Sequence, residues 1–471
     1  MTTDLWKWTA AELADGIAAG RITSVEATES ALARMAQVNP ALNAVVDPLE
    51  EQAMEAARAA DATLRTSGPS GPLHGVPVTV KINVDYGGRA TTNGVVAQKD
   101  NIAASDGSVV QNMKAAGAVI LGRTNTPCYS MRAFTNNDLH GATYNPHDKT
   151  LTPGGSSGGA GSATAAGIGA IGHGNDIGGS VRYPAYACGV YGLRPTSGLL
   201  AATSPSVPHR MIVSQMASVQ GPLARSIEDI RLGALALSGH DPRDIWQVPA
   251  GDIFGPLGHA PCKVAMLAET DEAPVDPEVS AAIRQAGAIL ADAGYTVEEV
   301  TPPSFAELMD YWRLILGNEM RAGLQGLMMD NGDWKMKKSI DLLLEGVPEL
   351  DSRDAFLKAL TRRSALLVDW QMFFQKFPLV LTATTWAKPM IDDYDVSEDA
   401  DAAWFYGICA PLSGTPIIGL PGLSVPVGAA PGKPMGVQLL SDRFQDKRLL
   451  EAGAVLERAI GAIAPIDPIG F

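Results

Sequence analysis

Two runs decide the reading of this chain: Pro153-Gly-Gly-Ser-Ser-Gly-Gly-Ala160 and, a little further on, Gly174-Asn-Asp-Ile-Gly-Gly-Ser-Val-Arg-Tyr-Pro-Ala185. A Gly/Ser run standing alone reads as a flexible loop. No Gly-Lys-Ser or Gly-Lys-Thr follows, which excludes a phosphate-binding P-loop. Gly154-x-Ser156-x-Gly158 meets the spacing of a nucleophile elbow, but an elbow follows directly on a buried strand. Here the preceding residues, His147 to Pro153, are polar and end in proline. The second run says more. Two glycines before Ser180 let successive backbone N–H groups turn inward together, as stabilisation of a tetrahedral oxyanion requires; each good donor contributes about 3–4 kcal/mol in a transition state. A side chain on Gly178 or Gly179 would obstruct that turn or crowd a substrate.

A serine hydroxyl needs a base. None of the seven histidines stands in a recognisable arrangement with Ser180. Lys81 closes the apolar run Gly75-Val-Pro-Val-Thr-Val80, where desolvation would lower its pKa and leave a neutral amine able to accept a proton.

Outward from these runs the texture is that of an α/β protein around a largely buried sheet. Residues 1–65 read as helices, with Thr23 and Glu26 at capping-box spacing. Strands are expected at 75–80, 118–122, 263–267, 295–300, 378–382, 423–426 and 435–440, with helices near 108–116, 277–293 and 447–460. The stretch 305–376 reads as helical and carries Trp312, Met328, Met329, Trp334 and Trp370, which belong to core packing or an access channel. With no internal repeat and no long linker, 1–471 is expected to form one domain: N-terminal helices over 1–65, a catalytic core over 66–240 and a helical cap-like region over 305–376.

Composition narrows the function classes. The chain is 46% hydrophobic and 18% charged, in the globular range. A net charge of −15 without a Lys/Arg cluster argues against a nucleic-acid or anionic-membrane surface. Cys128, Cys188, Cys262 and Cys409 show neither a disulfide framework nor a metal-like spacing, so buried free thiols are expected. The N-terminus lacks a basic segment followed by an apolar stretch, and no apolar run approaches the ~20 residues of a membrane helix; a cytoplasmic protein is the expectation.

Taken together the residues resemble the amidase signature family. Gly154 to Ala185, with Asp176, Ser180, Arg182 and Pro184 in step, is similar to its defining pattern, as is the separation of 24 positions between Ser156 and Ser180. Gly75 to Lys81, Gly122 to Pro127, Gly141 to Pro146, Gly221 to Ser226 and Pro434 to Leu439 resemble further landmarks. The resemblance implies a large mixed, twisted β-sheet surrounded by helices. It implies amide hydrolysis through an acyl-enzyme, with Lys81 as base, Ser156 as relay behind a cis Gly155–Ser156 peptide, and Ser180 as nucleophile. The N–H groups of Ile177, Gly178, Gly179 and Ser180 are the implied oxyanion hole. Asp176 and Arg182 read as an ion pair that fixes the loop, and Ser157 as a loop hydrogen-bonder.

Two positions depart from the pattern: Asn175 replaces the usual Thr behind His173, and Cys128 replaces an acidic or amide residue. By position, Tyr129, Ser130 and Met131 should pass near the substrate, and the loop from Ser204 to Met211 could form one wall, with His209 or Arg210 selecting a polar group. No cofactor or metal is implied. The expected partner is a small-molecule amide or carbamate; anilides and esters are reachable by the same chemistry, and the chain is expected to be a monomer or homodimer. Two readings compete with a stand-alone amidase. One is the catalytic subunit of a glutamine-dependent amidotransferase; the other is a non-catalytic binding protein on the same fold.

Overall fold

The computed structural model describes residues 4–207, 210–430 and 432–471. Eleven strands form one sheet: β1 (Val45–Pro48), β2 (Pro77–Lys81), β3 (Val119–Thr124), β4 (Ile171–Asp176), β5 (Tyr191–Arg194), β6 (Val219–Ala224), β7 (Lys263–Met266), β8 (Thr296–Glu299), β9 (Leu379–Ala383), β10 (Gly422–Val425) and β11 (Val437–Ser441). Their order is β1-β3-β2-β4-β6-β5-β10-β11-β9-β7-β8. The sheet is mixed: β3, β2 and β4 run parallel, as do β9, β7 and β8, while β4, β6, β5, β10, β11 and β9 pair antiparallel in succession. This is the large mixed sheet in a coat of helices that the resemblance implies.

Local chemistry accounts for the N-terminal helices. Thr9 with Glu12 and Thr23 with Glu26 form reciprocal capping boxes at the starts of Ala10–Ala18 and Ser24–Leu42. The strand β1 between the second and third helices was not expected; its four residues are too few for an alternating pattern to stand out. The strands β4, β5 and β6 are likewise additional to the expected ones. Gly172 and Gly174 interrupt β4, and Gly221 and Pro222 interrupt β6, so neither has the β-branched run that marks a strand locally. They are strands because each lies between partners that complete its ladder.

The helix Gly158–Ala165 carries no side chain larger than threonine and is wholly buried. Its small surface lets it sit close behind the sheet: a Cβ on Gly159 would lie 2.4 Å from the Asn125 nitrogen. The region 305–376 is helical, as expected, in four segments: Phe305–Gly323, Gln325–Asn331, Trp334–Leu344 and Arg353–Phe374. Trp370 is core, packed on Phe305 and Phe374, whereas Trp334 is exposed. Among the described residues no helix is long and apolar enough to cross a membrane.

Candidate active site

The parallel pairing of β2 with β4 sets Thr79 opposite Gly172, so the two strands deliver their carboxyl ends side by side. Lys81 ends β2 and Asp176 ends β4, and crevices outside the carboxyl ends of parallel strands are where such sheets hold ligands. Lys81 is fully buried. Its Nζ lies 2.7 Å from Ser156 Oγ, 3.0 Å from Ser157 Oγ and 2.8 Å from Asn175 Oδ1. Burial pushes its pKa well below the usual lysine value, and the more distant Asp176 carboxylate only partly opposes this. The Gly155–Ser156 peptide is cis. Ser156 and Ser157 immediately precede the buried Gly158–Ala165 helix.

Ser180 occupies the turn between β4 and the helix Arg182–Ala187. The strand–turn–helix setting sought at Ser156 is therefore found here, behind a strand the local pattern conceals. Gly179 has φ +104°, and a Cβ there would meet Leu412 at 2.4–2.8 Å; one on Gly178 would meet Trp312 at 2.6 Å. The obstruction anticipated from the glycine pair is thus a clash with these two side chains. The carbonyls of the turn are held away from it: Trp312 Nε1–H donates to Ile177 O at 2.8 Å, and Ser413 Oγ–H to Gly178 O at 2.6 Å. The Gly179 N–H is engaged by Asp176 Oδ1 at 2.8 Å. The N–H groups of Ile177, Gly178 and Ser180 have no acceptor among the described residues.

Asp176 and Arg182 form the loop-fixing pair expected of them. Arg182 donates to both Asp176 oxygens at 3.0 Å, and its other nitrogen reaches Gln438 Oε1 at 2.7 Å and Thr415 Oγ1 at 3.1 Å. Burial alone would raise the Asp176 pKa, yet Arg182 and Arg194 hold it at about 2, so the carboxylate stays ionised beneath the turn. His173 is buried behind Lys81: its Nδ1 faces the Lys81 backbone N–H at 3.4 Å, and its Nε2 faces Gln220 Oε1 at 2.9 Å. Burial depresses it to about 3, against the Gln220 contact, so it is neutral.

A cavity of about 700 Å3, counted to its open mouth, lies over the turn. Ser180, Gly178, Ile177 and Gly155 form its floor, and its walls are largely apolar, including Met131, Trp312, Leu316, Leu343, Phe405 and Leu412. Ser130 and Met131 line it, but Tyr129 does not. Arg210 is elsewhere, in a separate depression with Arg243 and Trp246, where its guanidinium faces Asp244 at 3.9 Å. His209 falls outside the described residues. Cys128 is buried and does not line the cavity, and burial lifts its thiol to about 11. Cys409 does line the cavity, with its thiol raised to about 12 by burial.

Nothing in the sequence around Trp312 marks it for a part in the turn, nor anything around Leu412, Ser413 or Phe405 for a part in the turn or its cavity. They arrive from segments more than 130 residues away, and no local spacing announces them.

The family described as Amidase matches residues 26–450. Over 462 residues, 98% of this chain and 88% of the other, the sequence is 43% identical to an indoleacetamide hydrolase of Bradyrhizobium diazoefficiens. It is 32% identical, over 97% of this chain and 95% of the other, to one component of the glutamyl-tRNA(Gln) amidotransferase of Acidothermus cellulolyticus. The fold is similar to 6-aminohexanoate cyclic dimer hydrolase, with a TM-score of 0.83 and 27% identity over 99% of both chains. It is similar also to a bacterial aryl acylamidase of the amidase signature family, with a TM-score of 0.81 and 27% identity over 96% of both. The chain belongs to the amidase signature family and is a hydrolase of carbon–nitrogen bonds other than peptide bonds.

Proposed function

We propose that this enzyme hydrolyses small carboxamides with aromatic or otherwise apolar acyl groups, with Ser180 as nucleophile, Ser156 as proton relay and Lys81 as base. The observation that carries the reading is Lys81: a fully buried amine 2.7 Å from Ser156 Oγ with no carboxylate at ion-pair distance among the described residues. Such an amine is neutral closer to physiological pH and accepts the Ser156 proton as Ser156 takes that of Ser180. Ser180 Oγ then bonds to the carbonyl carbon, and the oxyanion falls to the free N–H groups of Ile177, Gly178 and Ser180. As the intermediate collapses, the C–N bond breaks and the relay runs backwards to protonate the departing amine. Water, activated by the same relay, releases the acid.

The acyl preference rests on the cavity's apolar wall and on the likeness to an indoleacetamide hydrolase. Glutamine suits this wall poorly. Among the described residues Arg132 is the one guanidinium lining it, and it is committed to Asp395, Asp393 and Asn136, leaving no lining counter-charge there for an α-carboxylate. The test is release of ammonia or of the aryl leaving group from indoleacetamide, an anilide, an aryl carbamate and glutamine, by wild type and Ser180→Ala in parallel. Indoleacetamide should be turned over by wild type alone. Parental activity in Ser180→Ala would remove the assignment of the nucleophile, and a preference for glutamine would remove that of the substrate.

A further inference from the structure

Lys81 Nζ has three neighbours within 3.0 Å, and a neutral amine has two hydrogens and one lone pair. Which neighbour faces the lone pair decides whether the amine can work as a base. Asn175 Oδ1 can only accept. Its amide is oriented from the other side, because Asn175 Nδ2–H donates to Asn83 Oδ1 at 3.1 Å. Asn83 is held in turn, since its Nδ2–H donates to Ser130 Oγ at 3.0 Å. Ser130 has a single hydrogen, and it goes to Asn93 Oδ1 at 2.7 Å, so Thr126 at 2.9 Å donates to Ser130.

Every link from the cavity wall to the amine thus points one way. Ser130 is also backbone-constrained: it and Tyr129 have φ of +58° and +55°, a region that costs a non-glycine residue and is held here by those side-chain bonds. One lysine hydrogen therefore goes to Asn175 Oδ1. The other goes to Ser157 Oγ, whose own hydroxyl has the Asn175 carbonyl at 3.4 Å. The lone pair is left for Ser156.

We propose that Asn175, locked by the Asn83–Ser130 chain, is a positioning residue that directs the Lys81 lone pair at Ser156 and keeps the amine neutral by offering it a dipole in place of a charge. This deepens the reading of Lys81 as base and rests on it. Among the described residues the titratable groups facing the amine are few. Asp176 on β4 is tied to Arg182 and Arg194, His173 on β4 is neutral, and the Gly158–Ala165 helix contributes none. A charge placed at Asn175 would dominate this setting.

The experiment is the pH dependence of kcat and KM for indoleacetamide in wild type, Asn175→Asp, Asn175→Leu, Asn83→Leu and Lys81→Met, with thermal melts for each. In Asn175→Asp a carboxylate replaces the amide oxygen 2.8 Å from Nζ, so the acidic limb should move up by about one to three pH units, activity returning at high pH. Asn175→Leu should lose about tenfold or more in kcat across the range with little change in KM, and Asn83→Leu should lose less in the same sense. An unmoved limb in folded Asn175→Asp overturns the proposal. Should that variant not fold, wild-type kcat in Asn83→Leu overturns it instead. Activity retained in Lys81→Met would instead remove the base itself, which separates failure of the parent reading from failure of this one.

Discussion

Replacing Gly179 by alanine tests the turn at its tightest point. A methyl group there lies 2.4, 2.6 and 2.8 Å from the three branch atoms of Leu412, each contact closer than real Cβ atoms make. Leu412 is itself buried and cannot swing into solvent. The backbone must in addition hold an L-residue at φ +104°, outside the small left-handed basin, at about 1–3 kcal/mol. Overpacking against Leu412 adds about 1–3 kcal/mol if nothing moves. The turn has an easier way out, which is to rotate and release the Gly179 N–H from Asp176, and this carries the neighbouring N–H groups of Gly178 and Ser180 with it. Misaligning one such donor typically costs about 100- to 1000-fold in kcat. Steady-state ammonia release from indoleacetamide should therefore fall by about that factor, with KM changed far less. The double variant Gly179→Ala/Leu412→Ala should recover only part of the loss, because removing Leu412 relieves the clash but not the dihedral. Turnover in Gly179→Ala within about threefold of wild type, with an unchanged melt, would refute the account of the turn.

Trp312→Phe keeps the apolar wall but deletes the 2.8 Å bond to Ile177 O, so kcat should drop about tenfold, on the order of 1 kcal/mol, with folding intact by circular dichroism. Arg132→Met strips the buried Asp395 of its guanidinium partner, while Asp393 keeps Lys335 and Asn136, and should cost about 3–5 kcal/mol of stability in urea unfolding. His173 makes stability pH-dependent. Its folded pKa of about 3 lies below the unfolded value of 6.5, so the unfolded chain binds the proton first, and the contribution is full above pH 6.5 and lost as pH falls toward 3. Between pH 7 and pH 5 that amounts to about 2 kcal/mol, and His173→Asn should reduce the stability difference between those two pH values by this amount in denaturant titrations.

How legible the site was varies residue by residue. Ser180 stood out because the two glycines before it have a local physical reason, and the structure supplies the contacts, Trp312 and Leu412, that leave no room for a Cβ. Lys81 is ordinary when read alone and stood out only because the serines require a base and the apolar run before it can desolvate one. Asp176 and Arg182 were legible through the resemblance, in step with Ser180, and the structure joins them directly. Arg210 misled, because a charge in a loop beside the signature run carries no sign of direction, and its partner Asp244 draws it to another depression. The strand β4 was hidden because its glycines serve close packing, not strand propensity: a Cβ on Gly174 would lie 2.7 Å from Ser157 Oγ.

The sequence by itself determined the chemistry available: a buried amine at a strand end, two serines in glycine-rich turns, and the ion pair beneath them. These depend on residues within a few positions of one another, where sterics and burial act through local pattern. Only the tertiary structure decided how they meet. Lys81 reaches Asn175 across 94 positions because β2 and β4 are parallel neighbours, and Ser156 across 75 because the Gly158–Ala165 helix packs on both strands, an arrangement that no hydrophobic periodicity encodes. Trp312, Leu412, Ser413 and Phe405 reach the cavity through helix packing against that sheet. Packing is satisfied by shape and volume, which many distant segments could supply, so the apolar wall of the cavity appears only once the chain has folded.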